Sequence, residues 1–249
     1  MRYIVSLTSF SGRIHNIWIT LETILRQSFK PDQIILWLGE DQFENIELPE
    51  NLLGLKSRGL TINFCKDVRS HTKYYYTIQL FPDANIITLD DDCYYPSNTI
   101  EQLVKLHKQF PSEICSNRVH KILTKNGSIL PYMKWKHNYK KNLTPNHNLL
   151  QTGVSGVLYP PKSLHKDVLD QAVFKELCFY ADDLWLKLHA IRNGTKVVTS
   201  KNFNKDLICV SDTQNNQLVS KNSFGGRNDS QFNDISKFYN LQLEILIIL

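Results

Sequence analysis

The sequence predicts an α/β protein with an open, mostly parallel central sheet flanked by helices. Strand-like and helix-like segments alternate over residues 1–110, which is the pattern of repeated β-α units. Residues 33–38 form an almost unbroken apolar run, as expected of a strand that is covered by helices on both faces. Successive parallel strands of this kind are joined by right-handed crossovers.

The elements follow from apolar spacing and from the residues that interrupt it. Strands are predicted at residues 4–7, 33–38, 60–64, 84–89 and 196–199. Helical spacing predicts helices over residues 14–25, 73–80, 100–110 and 180–191, and a final helix from about Gln231. Residues 116–161 are rich in Lys, Asn, His and aromatic residues and are predicted to form irregular strands and loops.

The composition indicates the cellular environment and the kind of partner that the protein has. The five cysteines are scattered and form no C-x-x-C pair, which argues against a disulfide framework and a structural zinc site and favours a reducing, cytoplasmic environment. No run of 20 apolar residues suggests a membrane span, and the opening residues resemble a strand rather than a signal peptide. The net charge of +5 favours an anionic partner without choosing among nucleotide, phospholipid and nucleic acid.

Three adjacent aspartates, Asp90, Asp91 and Asp92, follow the apolar strand at residues 84–89. Ligands of open α/β sheets bind beyond the carboxyl ends of the strands. Adjacent carboxylates repel one another, and a divalent cation relieves that repulsion while bridging to a diphosphate. Extended geometry would place Asp90 and Asp92 on one side, so Asp92 with help from Asp90 is the predicted metal site. A solvated acidic turn is the alternative.

A second pair, Asp182 and Asp183, opens the helix predicted at residues 180–191. Acidic residues are common in a first helical turn because they complement the helix dipole. A carboxylate held at a helix start is also suited to remove a proton from an attacking hydroxyl. The combination of both acidic clusters favours the catalytic interpretation.

The chain resembles GT-A glycosyltransferases, and most nearly their family 2-like bacterial group. The resemblance rests on three places in order over residues 1–200: the first two strands, the D-x-D strand that ends in Asp90–Asp92, and Asp182-Asp183 with Gly194 after the helix. It implies a nucleotide-diphospho-sugar transferase fold for residues 1–249. Within it we expect a nucleotide-binding half (1–115), an acceptor half (116–215) and a C-terminal lid and helix (216–249).

The resemblance also implies a role for individual residues. Thr8 would lie at the nucleotide, Asp67 would meet the base and Lys73 would face the phosphates. Asp90 and its neighbour Asp91 would contact the donor, Asp92 would bind Mn²⁺ or Mg²⁺, and Asp183 would be the base of an inverting transfer, with Asp182 where the family has Glu. Arg13 is predicted from the residues themselves, because a loop arginine beyond the first strand can bind a diphosphate bidentately.

The resemblance implies a nucleotide-sugar donor, by analogy a UDP-sugar, and a glycan or lipid-linked acceptor. The glycines of residues 152–156 are interpreted as an acceptor wall or as turn residues. The basic and aromatic stretch at residues 134–141 is a solvated loop or a contact for a lipid-linked or anionic acceptor, a membrane surface or single-stranded nucleic acid. Peripheral attachment to the inner face of the membrane therefore stays open. Residues 225–229 are interpreted as a lid or a connector, and the apolar residues 241–249 as core packing by default.

Two other function classes remain. One is another nucleotide or phosphate enzyme, either a nucleotidyltransferase or a phosphatase, and the other is a non-enzymatic module that binds a polyanion. A nucleotidyltransferase would need a Gly-rich basic loop after the first strand, and residues 8–13 contain one glycine. A haloacid-dehalogenase-like phosphatase would need a different sequence after its aspartate than Asp92-Cys93-Tyr94. A polyanion-binding module would leave both acidic clusters unexplained, so no nucleic-acid partner is expected.

Overall fold

The computed structural model describes residues 1–140, 144–200, 207–211, 213, 226–241 and 243–246. Seven strands build the main sheet, and four short strands form two small two-stranded sheets. The main-sheet strands are β1 (Tyr3–Ser9), β2 (Gln33–Gly39), β3 (Leu60–Cys65), β4 (Asn85–Thr88), β5 (Ile114–Ser116), β10 (Val157–Tyr159) and β11 (Val197–Val198). The small sheets pair β6 (Val119–Lys121) with β9 (Leu149–Gln151), and β7 (Thr124–Lys125) with β8 (Ser128–Ile129).

Helices occupy the connections between these strands. Their bounds are α1 (Ile17–Leu25), α2 (Glu40–Phe43), α3 (Glu50–Leu53), α4 (Thr72–Leu80), α5 (Thr99–Gln109), α6 (Gln171–Leu177), α7 (Asp182–Arg192) and α8 (Arg227–Phe238).

The main sheet has the strand order β11-β5-β10-β4-β1-β2-β3. Strands β4, β1, β2 and β3 are mutually parallel. Strand β10 runs antiparallel to both of its neighbours, β4 and β5, and β11 is parallel to β5. The sheet is therefore mostly parallel with one reversed strand, which confirms the predicted α/β class.

Strand β1 shows why the sheet needs helices on both faces. Its side chains alternate, so Tyr3, Val5 and Leu7 pack in the cluster that contains α1 and α5, while Ile4 packs on the opposite face. On that opposite face the Ser6 hydroxyl is 2.6 Å from Thr77 Oγ1 of α4. Both faces of the strand are buried, so its inward-facing residues on either side are apolar or, like Ser6, hydrogen-bonded.

The predicted elements are present with small differences in their bounds. The first helix begins at Ile17 because Ser11–Arg13 forms a separate 3-10 turn. The last long helix begins at Arg227, earlier than predicted, after Gly226 in a left-handed conformation at φ 70°. Gly194, at φ 73°, follows α7 as predicted for a helix C-terminus.

The C-terminal elements close the second core cluster. Helix α8 packs on α7 and α6, with Phe232 and Ile235 buried. Leu246 is also buried there, in agreement with core packing for the described part of residues 241–249; residues 247–249 lie outside the described ranges. In the described parts of the chain, no helix has the length and apolar character that crossing a membrane requires.

Gly156 lets the loop before β10 approach β4 closely, and this generates a stability prediction. Its backbone lies at φ 95° and ψ 136°, and an added Cβ would be 2.9 Å from Leu89 Cδ2. Gly156→Ala is therefore expected to lower the free energy of unfolding by about 1–3 kcal/mol in urea titrations. Gly54→Ala is the matched control, because φ is −59° there and nothing lies within 4 Å of the new Cβ. Equal stability of the two variants would contradict the assignment.

Candidate active site

The candidate active site lies at the carboxyl edge of the parallel strands. Strand β4 ends at Thr88, which pairs with Val157 at the start of the antiparallel β10. Because β10 is reversed, the segment that precedes it, residues 153–156, arrives at the same edge as Asp90–Asp92. The first residues of α7 meet this segment there, since both Asp183 carboxylate oxygens accept the Gly153 N–H at 3.1 and 3.2 Å. The sheet topology thus brings the two predicted acidic clusters together.

Lys73 connects the two clusters. Its Nζ is 2.9 Å from Asp90 Oδ1 and 3.0 Å from Asp182 Oδ2, and the lysine is 7% exposed. Burial alone would lower the pKa of Lys73, but the charges of Asp182, Asp90 and Asp183 hold that pKa well above its ordinary value. The ammonium is therefore a fixed positive charge between carboxylates. It contacts these acids directly, and the predicted contact with donor phosphates stays a prediction.

Asp183 is set apart from its neighbours by its protonation equilibrium. Burial, followed by repulsion from Asp182, raises the pKa of Asp183 to about 7. Lys73 and the Gly153 N–H act in the opposite direction. Asp182, in contrast, has a lowered pKa because Lys73, followed by His71, outweighs the effect of its burial. The pair thus contains one carboxylate held ionised and one that titrates near neutral pH, as a general base requires.

Gly153 marks the point where the groups converge. A Cβ built on this glycine would be 3.0 Å from Lys73 Nζ, 3.3 Å from Asp90 Oδ1 and 3.4 Å from Asp183 Oδ1. One methyl-sized position therefore touches the D-x-D cluster, the connecting lysine and the α7 carboxylate. The glycine also keeps its N–H directed at Asp183. This geometry supports a wall of the site at residues 153–156 rather than an unrelated turn.

Asp91 and Arg13 form an interior pair. Asp91 is 7% exposed, accepts a hydrogen bond from Ser9 Oγ at 2.5 Å and pairs with the Arg13 guanidinium. Burial raises the pKa of Asp91 even though Arg13 and Ser9 favour its charged form. The Thr20 hydroxyl of α1 donates to the Asp91 carbonyl at 3.0 Å. Asp91 is therefore paired with Arg13, whereas Asp90 is paired with Lys73. The predicted alternation, with Asp90 and Asp92 on one side, does not persist, because the chain bends at Asp91 and Asp92.

Arg13 also contacts the third aspartate and a later part of the chain. Its Nη2 is 3.0 Å from Asp92 Oδ2 and 2.8 Å from the Thr213 carbonyl oxygen. Burial would lower the pKa of Arg13, but Asp91 and Asp92 raise it overall. Asp90 and Asp92 thus contact different cations, Lys73 and Arg13, because the chain bends after the strand. The predicted binding of a diphosphate by Arg13 is untested, and the contacts shown are with carboxylates and a carbonyl.

Thr8 and Asp67 lie at the ends of neighbouring strands. The Thr8 hydroxyl donates to the Trp37 carbonyl of β2 at 3.0 Å. Asp67 follows β3, and its carboxylate accepts the Arg69 N–H at 2.7 Å and the Gln42 side-chain N–H at 2.6 Å. The Gln42 oxygen accepts the Ser11 N–H at 3.3 Å, which fixes the orientation of this amide. Asp67 is thereby held as a hydrogen-bond acceptor beside the first strand loop.

Negative charge exceeds positive charge in this cluster. Five carboxylates, those of Asp90, Asp91, Asp92, Asp182 and Asp183, surround the two cations Lys73 and Arg13. Hard oxygen ligands with excess negative charge are what Mg²⁺ and Mn²⁺ prefer. Within the described ranges, no three His, Cys, Asp or Glu side chains form a ready metal cluster. The excess of carboxylates has the chemistry that such a cation prefers, and the metal itself stays a prediction.

Several contacts of this site have no signal in the sequence. The Tyr95 hydroxyl accepts the Asp90 N–H at 2.8 Å and donates to the Val154 carbonyl at 3.0 Å, joining the D-x-D segment to the glycine loop. Gln42 donates a hydrogen bond to Asp67, and Ser9 donates one to Asp91. Trp135, in the basic and aromatic stretch, is buried against Phe232. Of the segment interpreted as a lid, Gly225 lies outside the described residues, and Asp229 accepts the Tyr132 N–H at 2.7 Å.

Comparison with known proteins identifies the fold. No protein-family model matches the sequence, and no curated protein matches it significantly. The crystal structure of S. aureus TarS 1–349 is similar to 83% of this chain, with a TM-score of 0.52 and 14% identity. The same protein in complex with UDP-GlcNAc is similar to 88% of the chain, with a TM-score of 0.52 and 12% identity. The similar region covers 59% and 61% of these TarS chains, so this chain spans about three fifths of them.

A weaker similarity links the chain to CMP:2-keto-3-deoxy-manno-octonic acid synthetase complexed with CTP. The TM-score is 0.47 at 11% identity, over 80% of this chain and 89% of the synthetase. The TarS similarity, together with the mostly parallel sheet, shows that the chain has the nucleotide-diphospho-sugar transferase fold. At this level of identity the similarity defines the fold alone.

The Lys73 bridge yields a prediction about stability. Lys73→Met is expected to lower the free energy of unfolding by about 3–5 kcal/mol at pH 8, because it leaves buried carboxylates without their cation. The folded-state pKa of Asp182 then rises above its unfolded value, so the deficit should shrink as the pH falls toward that unfolded value and protonation neutralises the group. Urea titrations at pH 5 and pH 8 measure the difference. Lys105→Met is the control, since it removes an exposed ion pair with Glu101.

Proposed function

We propose that this protein transfers a sugar from a nucleotide diphosphate donor to an acceptor hydroxyl with inversion at the anomeric carbon. The observation that carries the proposal is the half-buried Asp183, with a pKa of about 7, whose Oδ1 lies against Gly153 together with Asp90 Oδ1 at one edge of the sheet. The fold belongs to enzymes that handle nucleotide sugars, and TarS itself has been crystallised with UDP-GlcNAc. A general base beside a diphosphate-binding cluster is the arrangement that such a transfer needs.

The transfer balances with the groups present. The acceptor oxygen forms a bond to the anomeric carbon as the bond from that carbon to the diphosphate oxygen breaks. The acceptor proton passes to Asp183, and the electron pair leaves with the nucleoside diphosphate. Because Asp182 stays ionised and paired with Lys73, it acts on the reaction through Asp183, as a positioning residue. The Gly153 N–H holds the base in place.

Charge on the leaving group must be stabilised in the transition state. A divalent cation, Mn²⁺ or Mg²⁺, would supply that stabilisation as a Lewis acid when bound by Asp92 with help from Asp90. Arg13 and Lys73 set the directions of these two carboxylates through the contacts described above. The excess of carboxylates over cations supports the proposal of a metal.

The strand-end geometry supports a uridine nucleotide. Asp67 offers only acceptor oxygens, because Gln42 and the Arg69 N–H both donate to it. The uracil imide N–H is a donor at the position where cytosine has a bare acceptor nitrogen, so an acceptor-only carboxylate favours uracil over cytosine. UDP-sugars are therefore the proposed donors, and a glycan or lipid-linked hydroxyl is the proposed acceptor.

A nucleotidyltransferase is the competing function on this fold, and a product assay separates the two. The purified protein is incubated with a panel of nucleotide sugars, hydroxyl acceptors and Mn²⁺, with and without a chelator. Release of nucleoside diphosphate that depends on Mn²⁺ is the expected result. In parallel, nucleoside triphosphates with sugar phosphates test for pyrophosphate release, and small phosphate esters test for phosphatase activity. Pyrophosphate or inorganic phosphate as the only product would reject the proposed transfer.

The ionisation of Asp183 should control how the transfer rate depends on pH. With wild-type protein, kcat/KM is expected to rise about tenfold per pH unit below pH 7 and to level off above it, because only the ionised carboxylate accepts a proton. Asp183→Asn is expected to lower kcat at least ~10³-fold with UDP affinity retained, and the exposed Asp234→Asn is the control. Asp182→Asn removes a charge that repels the Asp183 carboxylate, so the pKa of Asp183 should fall. The rise of kcat/KM with pH should then occur below pH 7. An unchanged pH dependence in that variant would refute the role assigned to Asp182.

Asp67 should select the base. Asp67→Asn replaces one acceptor oxygen by a donor, so UDP affinity is expected to fall about tenfold, the size of one hydrogen bond to a charged group. CDP affinity should fall less or rise. Calorimetric titration of both nucleotides measures this ratio, and the exposed neighbour Asp41→Asn is the charge-matched control. An equal loss for UDP and CDP would be inconsistent with base contact.

A further inference from the structure

Two cysteines lie directly opposite each other beside the D-x-D segment. Cys93 follows Asp92, and Cys209 belongs to the described segment 207–211; they form an antiparallel bridge. The Tyr94 N–H donates to the Ile208 carbonyl at 2.9 Å, and the Val210 N–H donates to the Asp92 carbonyl at 2.8 Å. These bonds flank the two cysteines, so Cys93 and Cys209 are a non-hydrogen-bonded pair with side chains on the same face.

In this register the two cysteines are expected to be close enough for a disulfide. In a non-hydrogen-bonded antiparallel pair the Cα atoms are about 4.5 Å apart and the side chains approach closely. Disulfides span Cα separations of about 4.4–6.8 Å. Both cysteines are free thiols here, Cys93 fully buried and Cys209 exposed. The other cysteines, Cys65, Cys115 and Cys178, are buried and belong to separate parts of the core, and no bridge of this kind joins them.

We propose that Cys93 and Cys209 are a thiol pair that oxidises to a disulfide and fastens the segment at residues 207–211 to the D-x-D turn. In the reduced protein this attachment includes two backbone hydrogen bonds, the contact of Arg13 with the Thr213 carbonyl, and the packing of Leu207 and Val210. The disulfide adds a covalent link between residues that are far apart in the sequence. It is a modification site next to Asp92, and its formation does not require the transfer proposed above.

The difference in exposure sets the order of the steps. A low-molecular-weight disulfide reaches Cys209 first, and the Cys209 thiolate attacks it, forming a mixed disulfide and releasing one small thiolate. The Cys93 sulfur then attacks Cys209 Sγ and expels the second small thiol. The small thiolates released in the two steps take up the protons of the two protein thiols. Two protein thiols are oxidised, and one small disulfide is reduced to two thiols.

The test treats the full chain with oxidised glutathione. The expected product is a peptide pair containing Cys93 and Cys209 in mass spectrometry, with both sulfurs resistant to alkylation. Amide exchange at Tyr94 and Val210 should slow about tenfold on oxidation, because the ribbon opens less often once it is cross-linked. A mixed disulfide that persists on Cys209, or a cross-link without slower exchange at these amides, would overturn the proposal.

Two variants act as controls for the order of reaction. Cys209→Ser changes an exposed side chain, so the protein should fold and its Cys93 should stay reduced under the same oxidant. Reaction of Cys93 in this variant at the wild-type rate would contradict the proposed relay. Cys93→Ser should accumulate glutathione on Cys209. If that variant does not fold, the Cys209→Ser result and the wild-type peptide map decide the question.

Discussion

The ammonium of Lys73 lies between two carboxylates that come from opposite halves of the chain. Asp90 follows β4 in the first half, and Asp182 begins α7 in the second. The buried Lys73 and Asp182 would each be costly alone, since charge is poorly solvated in the interior. Together they compensate one another, and the fold holds both acidic clusters at fixed positions. The rest of the site depends on this arrangement, because Asp183 and Gly153 are placed relative to it.

The same arrangement separates two neighbouring carboxyl groups chemically. Asp182 has Lys73 as its partner and stays ionised, whereas Asp183 accepts one backbone N–H and faces the charge of its neighbour. Like charges in a poorly solvated space cannot both ionise freely, so the cost falls on Asp183. One residue type thus performs two roles at adjacent positions. In a solvated helix start, both groups would titrate near the value of an exposed aspartate.

The reversed strand β10 explains why the loop at residues 153–156 reaches the same edge of the sheet as Asp90–Asp92. If β10 ran parallel to β4, the glycine loop before it would lie at the opposite edge of the sheet. Gly156 then permits the close approach of that loop to Leu89, immediately before Asp90. The Tyr95 hydroxyl joins the two segments from the other side. The reversed pairing and these two contacts therefore hold the loop at residues 153–156 in register with the D-x-D segment.

The amino-acid sequence alone determined the order of strands β1–β4 and the position of Asp90–Asp92 and Asp182-Asp183 at element ends, because apolar periodicity and strand termini are local properties. It did not identify β10, the reversed strand of the main sheet, within the irregular strands and loops predicted at residues 116–161. It also indicated Asp67, Lys73 and Arg13, though not what they contact. Tertiary structure decided which groups pair. It placed Lys73 between Asp90 and Asp182, and Arg13 beside Asp91 and Asp92. It also brought Gln42 to Asp67 and Cys93 to Cys209. Each of these pairings joins segments whose separation in space depends on sheet order and register, and those are set by packing of the whole chain rather than by any one segment.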